Sequence, residues 1–194
     1  NGNLTAEDTR TRSDKVWSSV FKGQVEGADL ASLAAQIGLK GITPGTGTID
    51  FDMTTANGLG AATGSVTVKM DSLKIENFNF DKLGEEADAL ITVPKDTQKF
   101  VTDSLHKDAT IFSIVTAKAK VAAGEMRING LKLSNNAGDL TVNGELNAQD
   151  GSYQMSGDLH LVKPKDFPVL KIKRSSGMTD YKIDTAEVEQ YIIK

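Results

Sequence analysis

Residues 136–162 read NAGDLTVNGELNAQDGSYQMSGDLHLV, and one alternation runs through them twice. Leu140, Val142, Leu146 and Ala148 share one parity; Asp139, Thr141, Asn143, Glu145 and Asn147 share the other. After Asp150-Gly151 the pattern resumes, with Tyr153, Met155, Leu159 and Leu161 set against Ser152, Gln154, Ser156, Asp158 and His160. Successive side chains of a strand point to opposite faces. The stretch therefore predicts a β-hairpin with one apolar face and one wetted face.

The same reading extends in both directions. Strands fit residues 110–121, 125–133, 138–148, 152–162 and 169–174, at the spacing of an antiparallel meander. Upstream, 16–25 is rich in β-formers, and Ile49, Phe51 and Met53 alternate with Asp50, Asp52 and Thr54. Val66, Val68 and Met70 mark a further strand, and 73–80 another, with a parity change near Asp71-Ser72 that suggests a bulge. Residues 41–47 and 57–64 read as a loop and a Gly-rich turn.

Helical signals are few. Asp29 is a candidate N-cap for a short helix ended by Gly38, its apolar stripe being Leu30, Leu33, Ala34 and Ile37. Residues 96–106 form a second candidate, with Phe100, Val101 and Leu105 on one side, inside the least β-like region, 83–107. Residues 185–193 suit a short amphipathic helix or a last strand. Residues 1–14, polar and aperiodic, read as a frayed or extended lead-in. The expectation is one mainly β domain over 15–194: a curved antiparallel sheet, as a β-groove or an incomplete barrel or sandwich, with two or three short helices.

Composition excludes several classes. A net charge of −4 and a pI near 5.2 give no basic footprint for nucleic acid. Without cysteine there is no disulfide framework or thiolate metal site. No run of 18 apolar residues offers a membrane-spanning helix, so any anchor is expected outside the chain.

Candidate chemistry is sparse. His106 and His160 lie in different elements, and His160 falls on a wetted strand face. Asp50 and Asp52 share a face but lack a third carboxylate or a calcium-loop pattern. No G-x-S-x-G motif is present, and Gly45-Thr46-Gly47 precedes a strand instead of a helix, the wrong order for cradling phosphate. Asn3-Leu4-Thr5 matches a glycosylation acceptor. The expectation is a protein that is not an enzyme and uses no cofactor or metal.

Five or more one-faced strands with few helices leave apolar surface to be covered by a second layer or by something external. A sheet folded over itself is one arrangement; an open, curved sheet whose trough holds lipid is the other. The order of elements resembles the C-terminal region of the AsmA-like proteins of the Gram-negative envelope. The resemblance is carried by FKGQVEGADLASLAAQIG (21–38), GTGTIDFDMTTANG (45–58), TGSVTVKMDSLKIENFNFDKL (63–83), the long segment at 109–162, and VLKIKRSSGMTDYKIDTAEVEQYI (169–192). The type II secretion N proteins have a related pattern.

What the resemblance implies is a periplasmic module of outer-membrane biogenesis. It would be held at the inner membrane by a segment absent here, conduct phospholipid along an apolar β-groove, and work with other envelope proteins. The alternative is a non-catalytic assembly scaffold of the envelope or of a type II secretion machine. In the groove reading, strand parity predicts one continuous apolar surface of Ile111, Val115, Met126, Ile128, Leu140, Val142, Leu146, Tyr153, Met155, Leu159 and Leu161.

Overall fold

The computed structural model describes residues 2–13, 16–36, 41–56, 61–89, 94, 96–147 and 149–193. Eleven strands make one antiparallel sheet: β1 (Asn3–Ser13), β2 (Val16–Asp29), β3 (Ile42–Pro44), β4 (Thr46–Thr55), β5 (Thr63–Ile75), β6 (Thr110–Ala122), β7 (Glu125–Ser134), β8 (Gly138–Asn147), β9 (Tyr153–Leu161), β10 (Leu170–Ser175) and β11 (Lys182–Asp184). Neighbours in sequence are neighbours in the sheet, except that β3 prolongs the line of β4 along β5: Pro44 faces Leu73, and Gly47 faces Met70. β1 and β11 are the two edges and do not meet, so the sheet is open. Among the described residues four short helices accompany it, where the sequence suggested two or three: α1 (Leu30–Gln36), α2 (Phe80–Asp88), α3 (Thr97–Leu105) and α4 (Ala186–Ile193).

The hairpin that opened the sequence reading forms with its apolar parity intact. Leu140 faces Leu159, and Leu146 faces Tyr153. Its turns are set by side chains that mimic backbone acceptors: Asn135 Oδ1 accepts from Ala137 N at 2.8 Å, and Asp150 Oδ1 from Ser152 N at 2.8 Å. Ala148 lies outside the described residues, as do Ile37, Gly38 and 57–60. Two bulges bend the sheet. Gly27 (φ 63°) and Gly130 (φ 64°) take left-handed conformations where the registers of β2 on β4 and of β7 on β8 each slip by one residue. Across the second bulge the inward residues pass from Met126 and Ile128 to Leu131 and Leu133.

Three regions depart from the sequence reading. The lead-in is extended but not frayed: β1 pairs with β2 through eleven residue pairs. Its side chains are all exposed, so it has no periodic burial to advertise. Part of the 41–47 loop is β3. Residues 73–80 are not a separate strand; β5 runs through to Ile75, Asn77 turns the chain (φ 52°), and Asn79 caps α2 by accepting from Lys82 N at 2.9 Å. α3 forms as expected, with Asp96 Oδ1 accepting from Lys99 N at 2.8 Å. α1 also starts as expected, with Asp29 Oδ1 accepting from Ser32 N at 3.1 Å, but it buries only Leu30 and Ala34, leaving Leu33 44% exposed.

Burial is concentrated at one end. Phe80 and Leu83 of α2, Val101 and Leu105 of α3 and Val188 of α4 pack with Phe112, Leu133, Leu159 and Leu170 of the sheet in one core cluster. The rings of Phe80 and Phe112 stand 5.6 Å apart, fixing α2 on β6. Thr110, 1% exposed, donates its hydroxyl to the Phe78 carbonyl and tethers the chain entering α2. Ser104 Oγ lies 2.5 Å from Glu86 Oε2, and Lys107 Nζ lies 2.5 Å from Oε1, joining α3 to α2. β6 and β7 pair only from Ala119–Ala122 to Glu125–Ile128. Beyond that ladder the strands part, and the core cluster contains Phe112 and Val115 from one and Leu133 from the other.

Candidate functional site

Away from the helices the inner face of the sheet is only half-buried. The registers assemble it into rows that cross the strands. One row runs Ala6, Gly23, Phe51, Val66, Ala119, Ile128, Gly144, Met155 and ends on Arg174. A second runs Leu4, Val25, Ile49, Val68, Ala117. A third runs Phe21, Met53, Gly64, Val121, Met126, Leu146, Tyr153. Of these, Phe21, Val25, Ile49, Phe51, Met53, Val66, Val68, Val121, Met126, Ile128, Leu146 and Met155 remain partly accessible. Among neighbouring strands at ~4.8 Å spacing, the nine-residue row is roughly 38 Å long.

The opposite face carries ion pairs. Lys22 Nζ lies 2.9 Å from Asp52, Lys69 Nζ 3.7 Å from Asp50, and Arg127 Nε 3.3 Å from Glu145. Gln24 donates to Asp50 at 2.6 Å. These groups are wetted, and exposed pairs of this kind contribute little to stability. Asp50 and Asp52 are thus engaged with cations and an amide, and no cluster of three metal-ligating side chains occurs among the described residues.

At the helical end the trough narrows into an apolar pocket of about 100 Å³. Ile42, Ile75 and Phe78 form one wall; Leu140, Val142 and Ile172 form the other. The two walls come from strands that share no ladder, so curvature alone brings them face to face. Tyr181 closes the mouth: its hydroxyl donates to the Asn77 carbonyl at 2.5 Å, and its ring meets Phe78 edge-on at 5.4 Å. Burial pushes the Tyr181 phenol well above its ordinary range; the Asp180 carboxylate adds to this, and Arg174 opposes it. The His106 ring meets Tyr181 edge-on at 5.4 Å, with Nε2 3.0 Å from Asp180 Oδ2 but not aligned as a hydrogen bond. His160 is exposed on its strand.

The eleven residues expected on one surface divide four ways. Met126, Ile128, Leu146 and Met155 line the half-open face, and Tyr153, 7% exposed, stands at its border. Leu140 and Val142 line the pocket. Val115, Leu159 and Leu161 belong to the closed core, not to a groove, being 3%, 0% and 8% exposed. Ile111 is a correction: it is 59% exposed and pairs with Lys74. The cause is the parity change noted near Asp71-Ser72. Inward positions pass from half-buried Met70 to buried Leu73 in β5 and from Val115 to Phe112 in β6, yet the register between the two strands does not slip. Both strands change parity together, and Ile111 goes outward with the rest.

Sequence reading missed the N-terminal half of the face, from Phe21 to Met70, and the position of Arg174. The signal was present: Leu170, Ile172 and Arg174 share a parity. No helix among the described residues is long and apolar enough to cross a membrane. Compared with family models, curated proteins and solved structures, the chain matches none.

Proposed function

We propose that the protein is a non-catalytic module that binds phospholipid by its acyl chains along the inner face of the open sheet, serving outer-membrane biogenesis in the periplasm. The observation that carries this reading is the set of apolar rows, the longest crossing eight strands from Ala6 to Met155, most of whose large side chains remain half-exposed. A monomeric protein rarely leaves a contiguous apolar patch above a few hundred Å² without a use for it. The lengths agree as well. An acyl chain reaches about half of a ~30 Å hydrocarbon core, so the row accommodates one chain or two end to end. Burial at roughly 0.8 kcal/mol per CH₂ supplies the affinity. The resemblance of the element order to the AsmA-like C-terminal region supports the envelope setting and an inner-membrane tether outside this chain.

The test is native mass spectrometry of the purified protein, together with uptake of the uncharged fluorescent probe N-phenyl-1-naphthylamine. Co-purified phospholipid and saturable probe uptake are the expected results. Absence of both removes lipid binding and leaves the assembly scaffold as the reading.

A further inference from the structure

The longest apolar row ends on a cation. Arg174 has the inward parity of Leu170 and Ile172, pairs with Met155, and with Met155 and Ser156 lines two spaces at once. One is the 100 Å³ apolar pocket; the other is an adjoining cleft of about 700 Å³ whose lining also takes in the wetted-face residues Asn143, Glu145, Gln154 and Lys182, with Glu145 held by Arg127. The Arg174 Nε is buried and has no hydrogen-bond partner among the described residues. Arg10 and Arg127 are exposed and matched to carboxylates, whereas Arg174 has no carboxylate within ion-pair distance among the described residues. A guanidinium half-buried beside apolar walls loses hydration, and leaving its donors unmade is costly.

We infer that Arg174 is the headgroup site of the trough and binds the phosphodiester of a phospholipid whose acyl chain lies along Met155, Ile128 and the residues beyond. The geometry suits that occupant. The planar fork of arginine matches two non-bridging phosphate oxygens, and a cation at the end of an apolar row fits a ligand that is anionic at one end and apolar along its length. This inference rests on the acyl-binding reading above and adds to it a polarity: the ligand lies with its headgroup toward β10 and its chains toward β4.

The test compares dioctanoylphosphatidylglycerol with dioctanoylglycerol, which carries the same chains without the phosphate, as competitors for bound N-phenyl-1-naphthylamine. The wild-type protein should be emptied by the phospholipid at roughly tenfold lower concentration or less, the ratio that a charge-assisted hydrogen bond provides. Arg174→Gln should abolish the preference while still yielding the probe to dioctanoylglycerol, and Arg174→Lys should keep part of it. Equal competition by the two lipids on the wild type overturns the headgroup site and leaves the trough standing. A preference that survives in Arg174→Gln also overturns it. The wild-type ratio needs no variant, so a folding defect in Arg174→Gln cannot mask the result. A wild-type protein that takes up no probe removes the acyl-binding reading, and this inference with it.

Discussion

The ring of Phe51 lies over the bare α-carbon of Gly23: a methyl group built there would stand 2.6 Å from Cζ of Phe51 and 2.4 Å from the Thr5 carbonyl oxygen. An aromatic ring thus fills, from the next strand, the space that glycine leaves in β2, while β1 closes against the same spot. Gly23→Val should displace the ring and strain the β1–β2 ladder, costing about 1–3 kcal/mol, as overpacking does. A thermal melt gives the cost. A fall in probe uptake larger than the fall in folded fraction would show that the ring also forms part of the binding surface.

A charge distinguishes the open face from the closed core. Phe51→Asp places a carboxylate where water already reaches, so the melting temperature should drop by only a few degrees while probe uptake collapses. Leu159→Asp buries an unpaired charge at a position 0% exposed and should cost several kcal/mol, a large part of the ~5–15 kcal/mol that holds a domain folded. Equal melts for the two variants would mean that the face around Phe51 is as sealed as the core.

The joint between α2 and α3 should weaken in acid. The Lys107 ammonium first, and the Ser104 hydroxyl second, hold the Glu86 carboxyl below its ordinary value of 4.5. A carboxyl whose folded pKa is depressed contributes stability above the unfolded value. That contribution is lost as pH falls through 4.5 toward the folded value. Glu86→Gln should therefore lower stability near neutrality, by about 1 kcal/mol, and flatten the slope of stability against pH below 5. Urea melts from pH 3 to 7 provide the comparison; parallel curves for the two proteins would exclude the effect.

Amide hydrogen exchange should grade the sheet from edge to core. β1 buries no side chain, so its bonded amides should open locally and exchange within the fastest class of the sheet. Amides of β9, between Leu140 and Leu170 in the core cluster, should exchange only by global unfolding. Protection of β1 equal to that of β9 would imply that something covers the edge in solution.

Alternation made the fold legible wherever a strand has two different faces. β4, β8 and β9 could be read because Phe51, Leu140 or Leu159 is followed at every second residue by another inward side chain. β1 could not, since backbone hydrogen bonds hold it and neither of its faces is buried. α2 was obscured because Phe80, Leu83 and Ala87 are interleaved with Asp81, Gly84 and Glu85, a pattern that reads equally as loop until Asn79 is recognised as the cap. The candidate site was legible strand by strand, but its extent was not. Which residue of β4 ends up in line with which residue of β7 depends on the registers of the three ladders between them, and those decide that Phe51 and Ile128 stand in one row.

The calibre of the trough follows from the short ladder between β6 and β7. A closed barrel has a fixed bore because backbone bonds run all the way round it. Here hydrogen bonds join the two wings of the sheet at only four residue pairs, Ala119↔Ile128 to Ala122↔Glu125. Above them the gap is set by Phe112, Val115 and Leu133 in contact with the helices. The bore is therefore written in side-chain volume and not in strand number. Trimming Leu133 or Val115 re-gauges the gap between the two wings without unzipping a strand, so sequence drift at those buried positions can retune its width on an unchanged backbone.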